Sequence, residues 1–183
     1  PVEYGDDVVF LGDYVDRGPD SRSVVDFLIE YQRKVSCIFL LGNHESMFLD
    51  FLGWEGNLYF SGDAFLMNGG DRTLASYGYF DLPDPCPEKF ELPPGHEDFY
   101  RGLLPYYIDT RYLFVHAGIS QEVMNCRDIS QAVAESRPAD LLWNRNTGCL
   151  PHNLEITIVY GHTPMSDFSI QWNRPHSIGI DTG

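Results

Sequence analysis

The chain opens with two short apolar runs that enclose a stretch of helical periodicity. The runs cover residues 8–11 and 35–41, and a continuous apolar run of this length is typical of a strand buried on both faces. Between them, apolar side chains recur every three or four positions, which predicts a helix with one apolar face. These helical positions are Val24, Phe27, Leu28 and Tyr31. Strand, helix and strand in this order predict a parallel strand pair joined by a right-handed crossover.

The rest of the chain continues this alternation of helices and apolar runs. A second helix is predicted after Gly42, with Gly53 as its stop signal, and a short helix or turn is predicted over 69–77. Residues 81–98 are rich in proline and acidic side chains and are predicted to form an irregular surface loop. Three further apolar runs predict strands, at 112–115, 156–160 and 178–180. The pattern therefore predicts the α/β class.

Polar residues follow four of the five apolar runs directly, usually beside a glycine. They are Asp13, Asn43, His44, His116 and His162. In open α/β sheets, ligands bind in the crevice outside the carboxyl ends of the strands. A single histidine at a strand end is more often a hydrogen-bonded structural residue than a ligand. Four such strand ends in one chain instead indicate a common functional site.

The chemistry that suits this set of residues depends on metal ions. A carboxylate, an amide and two imidazoles fit manganese, iron or zinc better than an all-oxygen calcium site. An aspartate can bridge two ions, and two such ions can clamp a phosphoryl group and generate a hydroxide nucleophile. The predicted metal ligands are Asp13, Asn43, His116 and His162.

Three residues beside these ligands are candidates for the remaining chemistry. His44 directly follows Asn43, so it is a natural general acid for a departing oxygen. Asp16 is placed to hold the other ring nitrogen of His44, and Arg17 offers a planar fork for phosphate oxygens. Glu45 is interpreted as structural, bonded to a backbone amide or to Arg17.

Charge and length narrow the function classes. Twelve Lys and Arg against 27 Asp and Glu give a formal charge of −15, which argues against general binding to nucleic acids or anionic membranes. No apolar run approaches the about 20 residues that a membrane-spanning helix needs. With 183 residues, 43% of them apolar, the chain is predicted to form one domain over 1–183.

The cysteines and the remaining histidines add little chemistry. The four cysteines show no Cys-x-x-Cys spacing and are predicted to be free thiols of a reducing compartment, at Cys37, Cys86, Cys126 and Cys149. With no secretory leader visible, we expect a cytoplasmic protein. Three histidines are predicted to be ordinary surface residues in loops, at His96, His152 and His176.

Taken together, the motifs resemble those of the calcineurin-like metallophosphoesterases. They are Gly-Asp-Tyr-Val-Asp-Arg-Gly at 12–18, Gly-Asn-His-Glu at 42–45, Val-His-Ala-Gly at 115–118 and Gly-His-Thr-Pro at 161–164. The first two together are highly specific to the phosphoprotein phosphatase branch, in its bacterial and phage form. The resemblance covers nearly the whole chain.

The resemblance implies a two-sheet β-sandwich flanked by helices, with a dinuclear site at the strand ends. It implies that Asp13 bridges two divalent ions, manganese with iron or zinc as alternatives, and that Asn43, His116 and His162 complete the second ion. It further implies that His44, paired with Asp16, is the catalytic acid. The residues implied to contact the substrate phosphate are Arg17, Arg145 and Asn43.

The chain departs from the family in one respect. The family carries an upstream Gly-Asp-x-His-Gly motif that supplies an Asp and a His to the first metal, and no such motif precedes Asp13. We expect the sequence to be an internal piece of a longer protein, because the fold is incomplete at both ends while every retained motif is intact. The alternative is an impaired first metal site.

The leading functional hypothesis is hydrolysis of phosphoserine and phosphothreonine in proteins or peptides, by in-line attack of metal-bound hydroxide with His44 as general acid. The first alternative is the same chemistry on a dinucleoside polyphosphate, with Tyr14, Trp54 or Trp172 stacking a base. The second is a catalytically impaired module that binds phosphoproteins. A purely structural domain would leave the strand-end residues and both arginines unexplained.

Overall fold

The structure, a computed structural model, divides the chain into two compact units. The described residues are 5–54, 62–80, 89–147 and 151–183. The first unit comprises 1–39 and 43–103, and the second comprises 40–42 and 104–183. Each unit carries its own sheet, so each is described by itself.

The first unit is built on a parallel pair of strands. Strand β1 spans Asp7–Phe10 and pairs with β2, Ser36–Phe39, so that Val8 lies opposite Cys37. Helix α1, Ser21–Tyr31, connects them. The parallel strand pair predicted from the first two apolar runs is therefore confirmed.

The helices of the first unit follow the second strand. Helix α2 spans Asn43–Phe51 and begins directly after Gly42, and its end is followed by Gly53 with a φ of 68°. The others are α3 at Gly62–Phe65, a single π-helical turn at Leu66–Gly70, α4 at Asp71–Ser76 and α5 at His96–Arg101. Most of the loop predicted over 81–98 cannot be compared, because residues 81–88 lie outside the described residues. Its last three residues belong to α5 rather than to a loop.

The second unit contains a five-stranded mixed sheet in the order β3-β4-β5-β7-β6. The strands are β3 at Tyr106–Ile108, β4 at Tyr112–Val115, β5 at Thr157–Tyr160, β6 at Gln171–Asn173 and β7 at Ser177–Gly179. Strands β4, β5 and β7 run parallel, and β3 and β6 are antiparallel edge strands. The carboxyl ends of β4 and β5 therefore lie next to each other.

Two helices pack on this sheet, α6 at Ile129–Glu135 and α7 at Pro138–Trp143. Their apolar sides share a buried cluster with the sheet, which includes Leu113, Ile119 and Ile158 at 0% exposure. Two sheets with associated helices confirm the predicted α/β class. Among the described residues, none of the helices combines the length and apolar character that a bilayer crossing requires.

The cysteines can be compared with the sequence prediction only in part. Cys37 and Cys126 are free thiols, as predicted. Cys86 and Cys149 lie outside the described residues.

Two of the three histidines predicted to be surface residues are in fact buried. His96, in the first unit, is 1% exposed and contacts the Tyr77 hydroxyl at 2.8 Å and the Asp26 carboxylate at 2.9 Å. His152, in the second unit, is 7% exposed, and its Nε2–H donates to the carbonyl of His176 at 2.7 Å. Burial of an imidazole is tolerated when its polar atoms find partners. Both ring nitrogens of His96 have partners, whereas Nδ1 of His152 has no hydrogen-bond partner among the described residues. The sequence around the two histidines does not reveal their burial.

The burial of His152 predicts a pH dependence of stability. Burial lowers the pKa of His152 below its ordinary 6.5, so the folded chain favours the neutral imidazole. This stabilisation is present above pH 6.5 and is lost as the pH falls through the folded pKa. The loss is about 1.4 kcal/mol for each unit by which the folded pKa lies below the unfolded pKa. We expect urea denaturation to show a steeper loss of the free energy of unfolding from pH 7 to 5 in the natural chain than in His152→Gln. Equal slopes would contradict this role.

Candidate active site

The loop that leaves β1 has a strained backbone at three of its polar residues. Asp13, Asp16 and Arg17 adopt φ values of 62°, 70° and 54°. The left-handed region costs a non-glycine residue about 1–2 kcal/mol, and such conformations persist where the surrounding structure enforces them. All three are residues for which the sequence predicts a role in the site.

The carboxylate of Glu45, in the first turn of α2, holds this loop in place. Its Oε2 accepts the backbone N–H of Asp13 at 2.8 Å, and its Oε1 accepts those of Tyr14 at 2.6 Å and Val15 at 3.2 Å. Glu45 is fully buried, and burial, with the nearby Asp13 charge, raises its pKa to about 8 against the opposing effect of the backbone bonds. A bond from Glu45 to one backbone amide was predicted. The set of three backbone bonds, which we call the Glu45 clasp, was not.

His44 and Asp16 form a buried pair behind the loop. The Nδ1 of His44 lies 2.7 Å from Oδ2 of Asp16, and the two residues are 2% and 6% exposed. This is the contact expected from the sequence. Because Nδ1 is directed at a carboxylate, it carries the hydrogen, and Nε2 is the ring nitrogen available to a substrate atom.

Both partners of this pair hold protons more tightly than usual. Burial raises the pKa of Asp16, although its hydrogen bonds to His44 and Thr73 oppose the change. Burial lowers the pKa of His44, but the Asp16 hydrogen bond and the charges of Asp13, Asp16 and Glu45 outweigh it and raise that pKa on balance. Both shifts favour retention of a proton within the pair, as a general acid requires.

The hydroxyl of Thr73 in α4 is a contact of this pair that sequence reasoning missed. Its Oγ1 donates to Oδ1 of Asp16 at 2.7 Å, and the two residues are 57 positions apart in the chain. A contact between elements this distant leaves no local pattern by which the sequence could have revealed it.

The predicted metal ligands of the first unit lie at the start of α2. Asn43 is its first residue and is 2% exposed, and the carboxylate of Asp13 accepts the backbone N–H of His44 at 3.4 Å. A helix N-terminus favours a negative charge beside it. The Asp13 carboxylate therefore lies at the end of α2 that begins with Asn43.

Arg17 is exposed at the outer side of the same loop. Its backbone packs closely on Gly69, where a Cβ atom would lie 2.9 Å from the Arg17 nitrogen. Only glycine allows this approach, so the turn before α4 supports the conformation at Arg17. The structure leaves the guanidinium in a position open to a ligand.

The predicted metal ligands of the second unit also lie together. His116 follows β4 and His162 follows β5, and Nε2 of the first is 3.2 Å from Nδ1 of the second. His162 has a φ of 66°, a further left-handed residue at a predicted site position. Two imidazole nitrogens that converge in this way suit a shared cation, and neutral imidazole is a common metal ligand.

Arg145 lies just beyond α7 in the second unit and is exposed. With Arg137, Gln121 and Trp143 it lines a pocket of about 310 Å³. The Trp143 ring meets the His162 ring edge-on, with centroids 5.8 Å apart. Arg145 therefore follows a residue that packs against a predicted metal ligand.

The structure thus forms two groups of predicted site residues. The first unit brings together Asp13, Asp16, Asn43 and His44, and the second brings together His116 and His162. The first group offers carboxylate and amide oxygens and the second offers imidazole nitrogens, and ligands of these kinds suit manganese, iron or zinc. The residues present therefore fit the divalent ions that the family motifs imply.

Comparisons with known proteins agree with this chemistry. The sequence model of the family described as calcineurin-like phosphoesterase matches residues 3–180. The bis(5'-nucleosyl)-tetraphosphatase PrpE [asymmetrical] of Anoxybacillus flavithermus is 26% identical over 190 residues, covering 98% of this chain and 71% of the relative. The protein of the same name from Oceanobacillus iheyensis is 23% identical over 189 residues, covering 96% and 68%.

Among solved structures, the chain resembles the cold-active protein-tyrosine phosphatase of a psychrophilic Shewanella. The TM-score is 0.56 at 18% sequence identity, and the match covers 97% of this chain and 60% of that one. At this identity the likeness concerns the fold alone. The chain spans about three fifths of the length of the solved structure.

Proposed function

Because the chain belongs to the calcineurin-like phosphoesterase family, we propose that it is a phosphoesterase hydrolase that cleaves phosphomonoesters with His44 as the general acid. The observation that carries the proposal is the buried His44–Asp16 pair at 2.7 Å, beside the Asp13 carboxylate at the start of α2. A strained, fully supported loop that presents these groups is typical of a functional site.

The residues that would hold divalent ions are Asp13, Asn43, His116 and His162. When bound, such ions neutralise phosphate charge and activate water as a nucleophile. We propose manganese as the native metal, with iron or zinc as the other candidates, because the donor set combines oxygen and imidazole ligands.

The chain's own residues account for binding and for proton delivery. Arg17 and Arg145, together with Asn43, bind and orient the phosphate oxygens, for which a guanidinium fork is suited. Asp16 fixes the ring of His44 through Nδ1, so that Nε2 holds the proton that the departing oxygen receives. Water forms the new P–O bond and loses one proton to solvent, while the P–O bond to the leaving group breaks. The departing oxygen takes the proton of Nε2 and leaves as an alcohol, and Nε2 is protonated again from solvent.

For the substrate, we propose phosphoserine or phosphothreonine in a protein or peptide. The proposal rests on the kinds of residue that would contact the substrate. These are two arginines, Arg17 and Arg145, and the general acid His44, which suit a single phosphate group. The chain's motifs also match those of the phosphoprotein phosphatase branch.

A second candidate substrate is a dinucleoside polyphosphate, because the curated relatives bear the name of enzymes for that class. Such a substrate needs an aromatic platform. Tyr14 packs against Phe39 and Phe99, so it is a packing residue. Trp54 is half-buried, with Arg101 over its ring at 4.1 Å. Trp172 is 56% exposed, with Arg174 over its ring at 4.6 Å, and it is the most accessible of the three for stacking.

Paired assays distinguish these substrates. The protein expressed from its complete gene, and the 183-residue chain, are stripped of metal and titrated with manganese, iron or zinc. Each is then offered a phosphoserine peptide, a phosphothreonine peptide and diadenosine tetraphosphate at equal concentration. We expect manganese-dependent phosphate release from the peptides.

Each of the other outcomes has a definite meaning. Cleavage of the dinucleotide alone would replace the first substrate by the second. Binding of the peptides without turnover of any substrate, in the protein from the complete gene, would contradict the enzyme proposal and favour a phosphoprotein-binding module. The His44→Asn variant, assayed in parallel under the same conditions, shows whether any turnover belongs to this site.

A further inference from the structure

Two buried hydroxyls lie behind the Asp16 carboxylate. Thr73 in α4 is 0% exposed and Ser21, the first residue of α1, is 3% exposed. The Oγ1 of Thr73 donates to Oδ1 of Asp16 at 2.7 Å, while Oδ2 of Asp16 faces His44 at 2.7 Å. Each oxygen of this carboxylate therefore has its own partner.

The number of hydrogens fixes the direction of the bonds around Thr73. Its hydroxyl has a single hydrogen, which goes to the Asp16 carboxylate. Its oxygen accepts the backbone N–H of Asp16 at 2.8 Å, so the Ser21 hydroxyl, 3.1 Å away, must be the donor in the bond between the two hydroxyls. One hydroxyl thus contacts both the backbone and the side chain of Asp16, whose φ is 70°.

We propose that Thr73 is a positioning residue for proton delivery. By holding Oδ1, it fixes the rotation of the Asp16 carboxylate, and Oδ2 in turn fixes the ring of His44. The inference rests on the proposed role of His44 as general acid. Without the Thr73 hydroxyl, a buried carboxylate oxygen loses its donor, the carboxylate rotates, and Nε2 of His44 is no longer aimed at the departing oxygen.

The leaving group of the substrate provides the test. Phenyl phosphate releases a basic phenolate that needs the acid, whereas p-nitrophenyl phosphate releases a stable anion that needs it far less. In the metal-loaded protein, we expect Thr73→Val to lower kcat/KM for phenyl phosphate by about tenfold or more, a fraction of the effect of a general acid. The loss for p-nitrophenyl phosphate is smaller, and Thr73→Ser, which keeps the hydroxyl, restores both.

A second measurement does not depend on activity. In the metal-free protein, the Nδ1–H of His44 bonded to a carboxylate gives a downfield proton resonance, assigned by its loss in His44→Asn. We expect this resonance in the natural chain and in Thr73→Ser. In Thr73→Val it moves upfield or disappears, because the carboxylate is no longer held in place.

Two further variants separate positioning from support of the fold. Thr147→Val removes a hydroxyl that is 2% exposed and donates to the Ala117 carbonyl at 2.9 Å, and it changes kcat/KM by the same factor for both substrates. Ser21→Ala removes the donor to Thr73. We expect it to lower kcat/KM more for phenyl phosphate than for p-nitrophenyl phosphate, as Thr73→Val does, but by a smaller factor. It keeps the test available if Thr73→Val does not fold.

The outcomes that overturn the inference are distinct from those that overturn the proposed function. Equal losses for both substrates in Thr73→Val or Ser21→Ala, or no loss with an unchanged resonance, would show that Thr73 only supports the fold. If His44→Asn itself leaves phenyl phosphate hydrolysis unchanged, His44 is not the acid, and the proposed function and the inference fail together.

Discussion

We expect His44→Asn to lower kcat/KM for phenyl phosphate by about a hundredfold to ten-thousandfold, the usual contribution of general acid catalysis. In the natural chain the Asp16 carboxylate lies 2.7 Å from Nδ1 of His44. The asparagine amide keeps an N–H directed at this carboxylate, but the substitution removes Nε2, the nitrogen that carries the transferred proton. The loss for p-nitrophenyl phosphate is much smaller. Steady-state kinetics on the two substrates, with metal in excess, measure both effects.

The control for this variant is His176→Asn in the second unit, outside the residues predicted for the site. It leaves kcat/KM unchanged for both substrates. Thermal unfolding shows whether His44→Asn remains folded. A folded His44→Asn protein that hydrolyses phenyl phosphate at the natural rate would exclude His44 as the acid.

Glu45→Gln has the largest expected effect on stability. The substitution keeps the size of the side chain but turns one acceptor oxygen into an NH₂ group that faces backbone N–H donors of the loop, at sites where the oxygens lie 2.6 Å and 2.8 Å from Tyr14 and Asp13. We expect the free energy of unfolding to fall by about 2–4 kcal/mol, since a buried donor left unsatisfied costs about 1–3 kcal/mol. Activity falls with it, because the strained loop relaxes.

Urea denaturation of the metal-free chain measures this loss, and Glu30→Gln provides the matched control. Glu30 is exposed and pairs with Arg33, which lies just beyond the end of α1, so its replacement changes stability by less than about 0.5 kcal/mol. A Glu45→Gln protein as stable as the natural chain would show that the loop is held by other contacts.

Much of the sheet architecture could be predicted from the sequence. The apolar runs locate β1, β2, β4, β5 and β7. The strands β4, β5 and β7 lie inside the five-stranded sheet and are largely buried, as continuous apolar runs predict. The strands β1 and β2 form a sheet of two and are mostly half-buried, so the burial on both faces predicted for their runs is not found. The edge strands β3 and β6 were not predicted. Each has three residues, and β6 contains Gln171 and Asn173, so neither shows a run or an alternation long enough to detect.

The site residues that directly follow strands could be predicted from the sequence. The helix residues whose side chains hold these site residues in position could not. Asp13, His116 and His162 stand directly beyond apolar runs, so topology places them. The contact of Thr73 with Asp16 spans 57 positions, and the clasp of Glu45 spans about thirty, so neither leaves a local signature. Arg145 was found only through the family resemblance. The position of Arg145 relative to the other motifs in the sequence does not distinguish it from an ordinary surface cation.

The clasp by Glu45 has a consequence for the metal chemistry of related chains. Glu45 binds main-chain amides, which every residue except proline provides, so the loop keeps its shape whatever side chain stands at position 13. The left-handed φ of 62° there favours Asp, Asn and His among residues with a side chain. All three are metal ligands, of differing hardness. At position 13, for which we propose a metal ligand, one codon change from Asp to Asn or His would therefore replace one donor type by another while the backbone of the loop stays supported by Glu45.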